Sequence, residues 1–185
     1  MPSIDNSNKH LDLGCGDHAR NPYNAPELYG VDLSLGDRET DDNFKTCNLV
    51  CEPIPFSDAF FASVSAFDVI EHIPRQSVDH ERKIIVNPFI LLMNEIHRVL
   101  KPNGLFYALT PAYPSPEAFQ DPTHVNIITE GTHQYFCGDN ADAKRYGFIG
   151  KFKVIEAQRI YPKYAQTAER SLVTVIKNAH KKYVK

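Results

Sequence analysis

Two glycines one residue apart, Gly14 and Gly16, follow His10-Leu11-Asp12-Leu13 and are followed in turn by Gly30-Val31-Asp32-Leu33-Ser34. The pattern reads as a buried strand, a tight glycine turn, and a second strand ending in a carboxylate. Glycine carries no side chain, so the backbone at 14 and 16 can come close to a ligand. A carboxylate at the end of the next strand can accept hydrogen bonds from both hydroxyls of a ribose. In open α/β sheets ligands bind outside the carboxyl ends of the strands. These residues therefore point to a ligand built on adenosine.

A second group of reactive side chains lies further along. Asp68 and Glu71-His72 follow a strand-like stretch, and His124 sits in Asp121-Pro122-Thr123-His124 within a long irregular segment. His124 is the favoured candidate for contact with a substrate, although a loop histidine bonded to backbone would look the same. Cys15, Cys47, Cys51 and Cys137 read as reduced thiols. Cys47 and Cys51 have metal-like spacing without a matching second pair, so no metal site is expected.

Strand signals alternate with helix signals, as in a parallel sheet with crossover helices. Strands are predicted at 9–13, 28–32, 43–49, 62–67 and 105–109, with two closing strands at 152–161 and 171–177. A short helix should open over Asp68 to Ile73, and a helix over 79–86 is a further expectation. Asn87 and Pro88 open a helix running to Leu100, with Phe89, Leu92, Ile96 and Val99 on one stripe. Lys101-Pro102-Asn103-Gly104 should end it as a turn. Residues 111–140 are rich in proline and aromatics, which suits a lid over a substrate, with a short helix at 129–136.

The 185 residues fit one domain, 1–185, with 42% hydrophobic and 23% charged residues and a net charge of −3. That balance gives no footprint for nucleic acid, and Lys177, Lys181, Lys182 and Lys185 read as a solvated end. No apolar run reaches the roughly 18 residues of a membrane span, and no signal-peptide core is visible, so a cytoplasmic location is expected.

Leu11-Asp12-Leu13-Gly14-Cys15-Gly16, Gly30-Val31-Asp32, Ile54-Pro55-Phe56, Val69-Ile70-Glu71-His72 and Glu95-Ile96-His97-Arg98-Val99-Leu100-Lys101-Pro102-Asn103-Gly104 occur in the order and approximate spacing of class I methyltransferases. Over residues 9–140 the chain resembles the small-molecule "type 11" branch of these S-adenosylmethionine (SAM) dependent enzymes. The resemblance implies an α/β, Rossmann-like fold: a mostly parallel seven-stranded sheet with an antiparallel C-terminal strand and helices on both faces. It implies SAM as cofactor, S-adenosyl-L-homocysteine as product, and a small-molecule acceptor.

It also implies roles. Asp12, Gly14, Cys15 and Gly16 line the methionine end of SAM, unless Asp12 merely caps a turn. Asp32 holds the ribose and Leu33 lies against the adenine, whose edge is read by Asn48 and Leu49. Ala66 and Phe67 end a strand beside the sulfonium, though Phe67 could equally be core. Asp68, His72 and His124 face the acceptor, with Glu71-His72 read first as structural.

The chain departs from the pattern in places. His18 stands where a third glycine is frequent, and Ala62 where an Asp is common. Gly16 and Asp32 are so close that the first crossover helix must be very short, and an N-terminal helix over the site is expected to be missing. Two other readings follow: a SAM-binding protein without catalysis, acting as sensor or partner subunit, and an NAD-dependent oxidoreductase. Gly14-Cys15-Gly16-Asp17-His18-Ala19 fits a dinucleotide fingerprint. Pro22 and Pro26, however, disfavour the helix on which a pyrophosphate would sit.

Overall fold

The computed structural model describes residues 8–160. Strands β1 (Lys9–Leu13), β2 (Glu27–Asp32), β3 (Phe44–Thr46) and β4 (Phe61–Phe67) come first. A small antiparallel hairpin, β5 (Ser77–Asp79) and β6 (Ile84–Val86), precedes helix α1 (Pro88–Val99) and strand β7 (Leu100–Leu109). A one-turn helix, α2 (Glu117–Gln120), lies in the segment that follows. The main sheet has the order β3-β2-β1-β4-β7, and all its pairings are parallel.

Side chains alternate across a strand, and here the alternation makes two unlike faces. Leu11, Leu13, Tyr29, Val31, Val64 and Ala66 are buried together on one face. The stripe Phe89, Leu92, Ile96 and Val99 of α1 packs into that cluster, and each fully buried aliphatic side chain contributes about 1.5–3 kcal/mol. Pro88 occupies the first helical turn, while Asn87, at the N-cap, makes no side-chain capping bond. Glu95 and Arg98 tie the helix to the Ile54-Pro55-Phe56 turn. Arg98 donates to the carbonyls of Ile54 and Phe56 at 2.8 Å, and Glu95 accepts from the Ile54 amide at 2.9 Å.

The other face is polar. His10, Asp12, Ser63 and Ser65 are buried on it, beneath the loop that joins β1 to β2. A smaller apolar cluster of Cys15, Leu35 and Phe44 closes that side near β3.

Several expectations are corrected. Residues 79–86 are not helical: Ile84, Ile85 and Val86 pair with Asp79, Val78 and Ser77. The short helix over Asp68 to Ile73 reduces to a 3-10 turn, Ile70–His72, and the one at 129–136 to a 3-10 helix, Thr132–Phe136. Lys101 to Gly104 do not end an element. They bulge within β7, where the step from Phe61 to Ser63 faces the step from Leu100 to Leu105, and Asn103 adopts a left-handed φ of 63°. The sheet has five strands among the described residues rather than seven. In place of the closing strand at 152–161, Phe152 forms a lone bridge with Cys137. Residue 161 and the strand expected at 171–177 lie outside the described residues. Among the described residues no helix is long and apolar enough to cross a membrane.

Candidate functional site

Because the sheet is parallel, the ends of β1, β2, β4 and β7 open on one edge, and the singled-out residues gather there. The turn after β1 is closed by the Gly14 and Cys15 amides, which both donate to the Val31 carbonyl at 2.8 and 3.1 Å. Gly14 and Gly16 have φ of 64° and 48°, a region that favours glycine. They serve different ends. A Cβ on Gly14 would collide with the Val69 side chain, whereas one on Gly16 would meet nothing within 4 Å. Gly14 is required by packing, and Gly16 borders open space.

Asp32 holds this turn. One carboxylate oxygen accepts the Gly16 amide at 2.8 Å, and the other accepts the Leu33 amide at 2.6 Å. The second oxygen also meets the Ser34 amide at 3.4 Å, so the lone pair left for an outside donor is on the oxygen that accepts from Gly16. Leu33, next in sequence, is 68% exposed. Asn48 uses its side-chain oxygen on the Val50 amide at 3.1 Å. Leu49 is buried in the main core, as is Ala66, so their side chains face inward. The Cys15 side chain also turns inward, against Leu35 and Phe44, and burial pushes its thiol up to about 11. Cys15 therefore offers the site only its backbone.

Asp12 lies beneath the turn and is 2% exposed. It accepts the Ser65 hydroxyl at 2.6 Å and the Arg20 amide at 2.7 Å. Since Ser65 donates to Asp12, it accepts from His10 Nε2 at 2.9 Å, and Ser63 donates to His10 Nδ1 at 2.8 Å. Burial raises Asp12 to about 6 and lowers His10 to about 4. Asp12 thus anchors the loop that covers the polar face. Arg20, which carries no sequence signal, reaches back over the strand end. Its guanidinium stacks 4.8 Å from the Phe67 ring centroid and donates to the Phe67 carbonyl at 3.3 Å. One face of Phe67 is thereby occupied by a cation.

On the β4 and β7 side, Asp68 is exposed in a left-handed conformation, φ 57°, with its amide on the Leu109 carbonyl at 2.9 Å. Glu71 is buried, accepts the Thr110 hydroxyl at 2.9 Å, and leaves its other oxygen without a partner. Burial raises its carboxyl above the ordinary value. The His72 and His124 rings meet edge to face at 4.7 Å. The long segment is fastened here by Asn126, whose amide donates to the Glu71 carbonyl and whose side chain donates to the Ile70 carbonyl. Arg75 in turn donates to Asn126 at 2.7 Å. The structure therefore brings His72 and His124 together beside Glu71. Thr110, Thr123, Asn126 and Arg75, which hold them, were not distinguishable by spacing.

Residues 1–136 match the family model described as a methyltransferase domain. No curated protein sequence matches the chain. Among solved structures, Haemonchus contortus phosphoethanolamine N-methyltransferase 2 in complex with S-adenosyl-L-methionine aligns at TM-score 0.53 and 18% identity, over 97% of this chain and 39% of that one. A chain from the complex of the Haloferax volcanii Trm112 methyltransferase activator with a candidate methyltransferase aligns at TM-score 0.51 and 18% identity, over 72% and 60%. The Bacillus subtilis protein YcgJ aligns at TM-score 0.46 and 21% identity, over 67% and 57%. The chain thus spans 60% of the length of these structures or less, and at such identities the likeness bears on the fold alone. The family match covers most of the chain and includes the glycine turn, Asp32 and the turn after β4, so the chain belongs to the methyltransferase domain family.

Proposed function

We propose that the protein is a SAM-dependent methyltransferase acting on a small-molecule acceptor. The observation that carries this reading is the Gly16–Asp32 contact at 2.8 Å beside open space and an exposed Leu33. The donor set fits SAM: Asp32 would accept a ribose hydroxyl, Leu33 would cover the adenine, and the Gly16 backbone would border the methionine chain. Arg20 would neutralise the methionine carboxylate. Asn48 can still accept through its second lone pair from the adenine amino group.

When bound, SAM supplies a methyl group on a sulfonium, which leaves by in-line displacement. The protein's own task is then mostly positioning. Asp68, His72 and His124, at the ends of β4 and β7, would orient the acceptor beneath residues 111–136. A base among them adds roughly 10²–10⁴-fold only where the acceptor has a proton to lose.

An NAD-dependent reading is weakened by residues 14–26, which contain turns and bends but no helix to receive a pyrophosphate. The same loop-only crossover favours a second reading, a SAM-binding protein without turnover. Calorimetric titration with SAM and S-adenosyl-L-homocysteine tests the first step. Asp32→Ala should bind at least about tenfold more weakly, since charge-assisted hydrogen bonds contribute about 1.5–3 kcal/mol each. Formation of S-adenosyl-L-homocysteine in the presence of a metabolite extract separates the two readings. Unchanged affinity in folded Asp32→Ala would remove the ribose assignment.

A further inference from the structure

We propose that Glu71, His72 and His124 form a binding site for a divalent cation of the Zn2+ or Mn2+ class. One donor atom from each of the three lies within 4.8 Å of the others, and because two bonds of about 2.0–2.2 Å span at most about 4.4 Å, a shift of a few tenths of an ångström would close them on one ion. Two imidazoles and a carboxylate make a borderline donor set, which suits these cations better than calcium.

Two independent observations point to a missing ligand. Glu71 is 1% exposed, yet its Oε1 has no hydrogen-bond partner. His124 has a side chain 10% exposed, and its Nδ1 is also buried without a partner. A buried polar atom left unpaired costs about 1–3 kcal/mol, more when charged. Two such atoms, on residues from different segments that meet in one cluster of donors, are what an ion would satisfy.

The surrounding bonds prepare the same arrangement. The Thr123 hydroxyl donates to Asp121 at 2.6 Å, so it can only accept from His72 Nδ1, 3.0 Å away, as the Thr123 carbonyl does at 3.3 Å. The proton of His72 therefore sits on Nδ1 and leaves a lone pair on Nε2. His124 Nε2 faces the Asp121 carboxylate at 3.8 Å, which favours a proton on that nitrogen, and Nδ1 is the nitrogen without a partner. Outer partners of this kind orient metal-binding imidazoles. Thr110 does the same for the Glu71 carboxylate.

Three protein donors leave coordination positions open. On the methyl-transfer reading, on which this step alone rests, an acceptor hydroxyl would occupy one of them. Its proton would pass to solvent, and an O–CH3 bond would form as the S–CH3 bond breaks. The sulfur would keep that bond's electron pair and leave as a neutral thioether.

The test is calorimetric titration of Zn2+ into the metal-stripped full-length protein, with Co2+ absorption as a readout of imidazole coordination. Wild type should take up one equivalent. Thr123→Ala should lose about 10–100-fold in affinity, as for other outer partners, and Glu71→Gln and His124→Ala should lose more. Circular dichroism checks that each variant folds. Absence of binding, or affinity unchanged in both Glu71→Gln and His124→Ala, overturns the site. S-adenosyl-L-homocysteine binding in the same samples separates this failure from failure of the SAM reading.

Discussion

Replacing Asp12 with asparagine should change how stability depends on pH, because two buried groups of opposite sense lie one serine apart. Asp12 is raised by burial from 3.8 to about 6, so the folded state holds the extra proton between about pH 4 and 6. Its contribution to stability is present below that window and is lost as pH rises through it. His10 is lowered by burial from 6.5 to about 4, so there the unfolded chain holds the extra proton. Its contribution grows as pH rises from about 4 to 6.5. At about 1.4 kcal/mol for each pKa unit, either contribution amounts to about 3 kcal/mol across its window. In the native protein the two nearly cancel. In Asp12→Asn only the His10 contribution is left, and stability should climb by about 3 kcal/mol from about pH 4 to 6.5 relative to wild type. A pH-independent loss of about 1–3 kcal/mol should accompany it, because asparagine cannot accept both the Ser65 hydroxyl and the Arg20 amide. Urea denaturation followed by circular dichroism at several pH values measures both. Parallel stability curves for the two proteins across this range would refute the reasoning.

Gly14→Ala should destabilise the fold, since its Cβ meets Val69 and a left-handed alanine costs about 1–2 kcal/mol. Gly16→Ala carries only the second of these costs, and should lose SAM affinity by more than it loses stability; equal melting temperatures for the two variants would contradict the packing argument. His124→Ala should keep SAM affinity within about threefold, well under 1 kcal/mol, while single-turnover methylation falls by roughly 10²-fold if His124 takes the acceptor proton. Full activity would move suspicion to Asp68 and His72. Ile96→Ala, in the center of the α1 stripe, should cost about 2–5 kcal/mol by urea denaturation, and a loss below 1 kcal/mol would mean that the helix does not seal that face.

What the sequence revealed follows the reach of its signals. The strands at β1, β2 and β4 and the helix α1 were legible because apolar spacing of two or 3.6 residues is written locally. The expected helix over 79–86 is instead a hairpin, with the charged run Asp79-His80-Glu81-Arg82-Lys83 at its turn. In the structure Asp79 accepts the Glu81 and Arg82 amides and Lys83 takes a φ of 55°, which turns the chain back on itself. The β-branched trio Ile84-Ile85-Val86 was the better local signal. For the site, the glycine turn and Asp32 were readable because neighbouring parallel strands, β1 and β2, end at one edge. The meeting of Glu71 with His124 was not, since no periodicity joins residues separated by α1 and β7. It arises because β7 lies beside β4 in a parallel sheet, with Ala66 opposite Ala108 and Phe67 opposite Leu109. Their following loops must then share one corner. In such a sheet the sequence names the edge at which each group arrives, and strand order decides which groups meet.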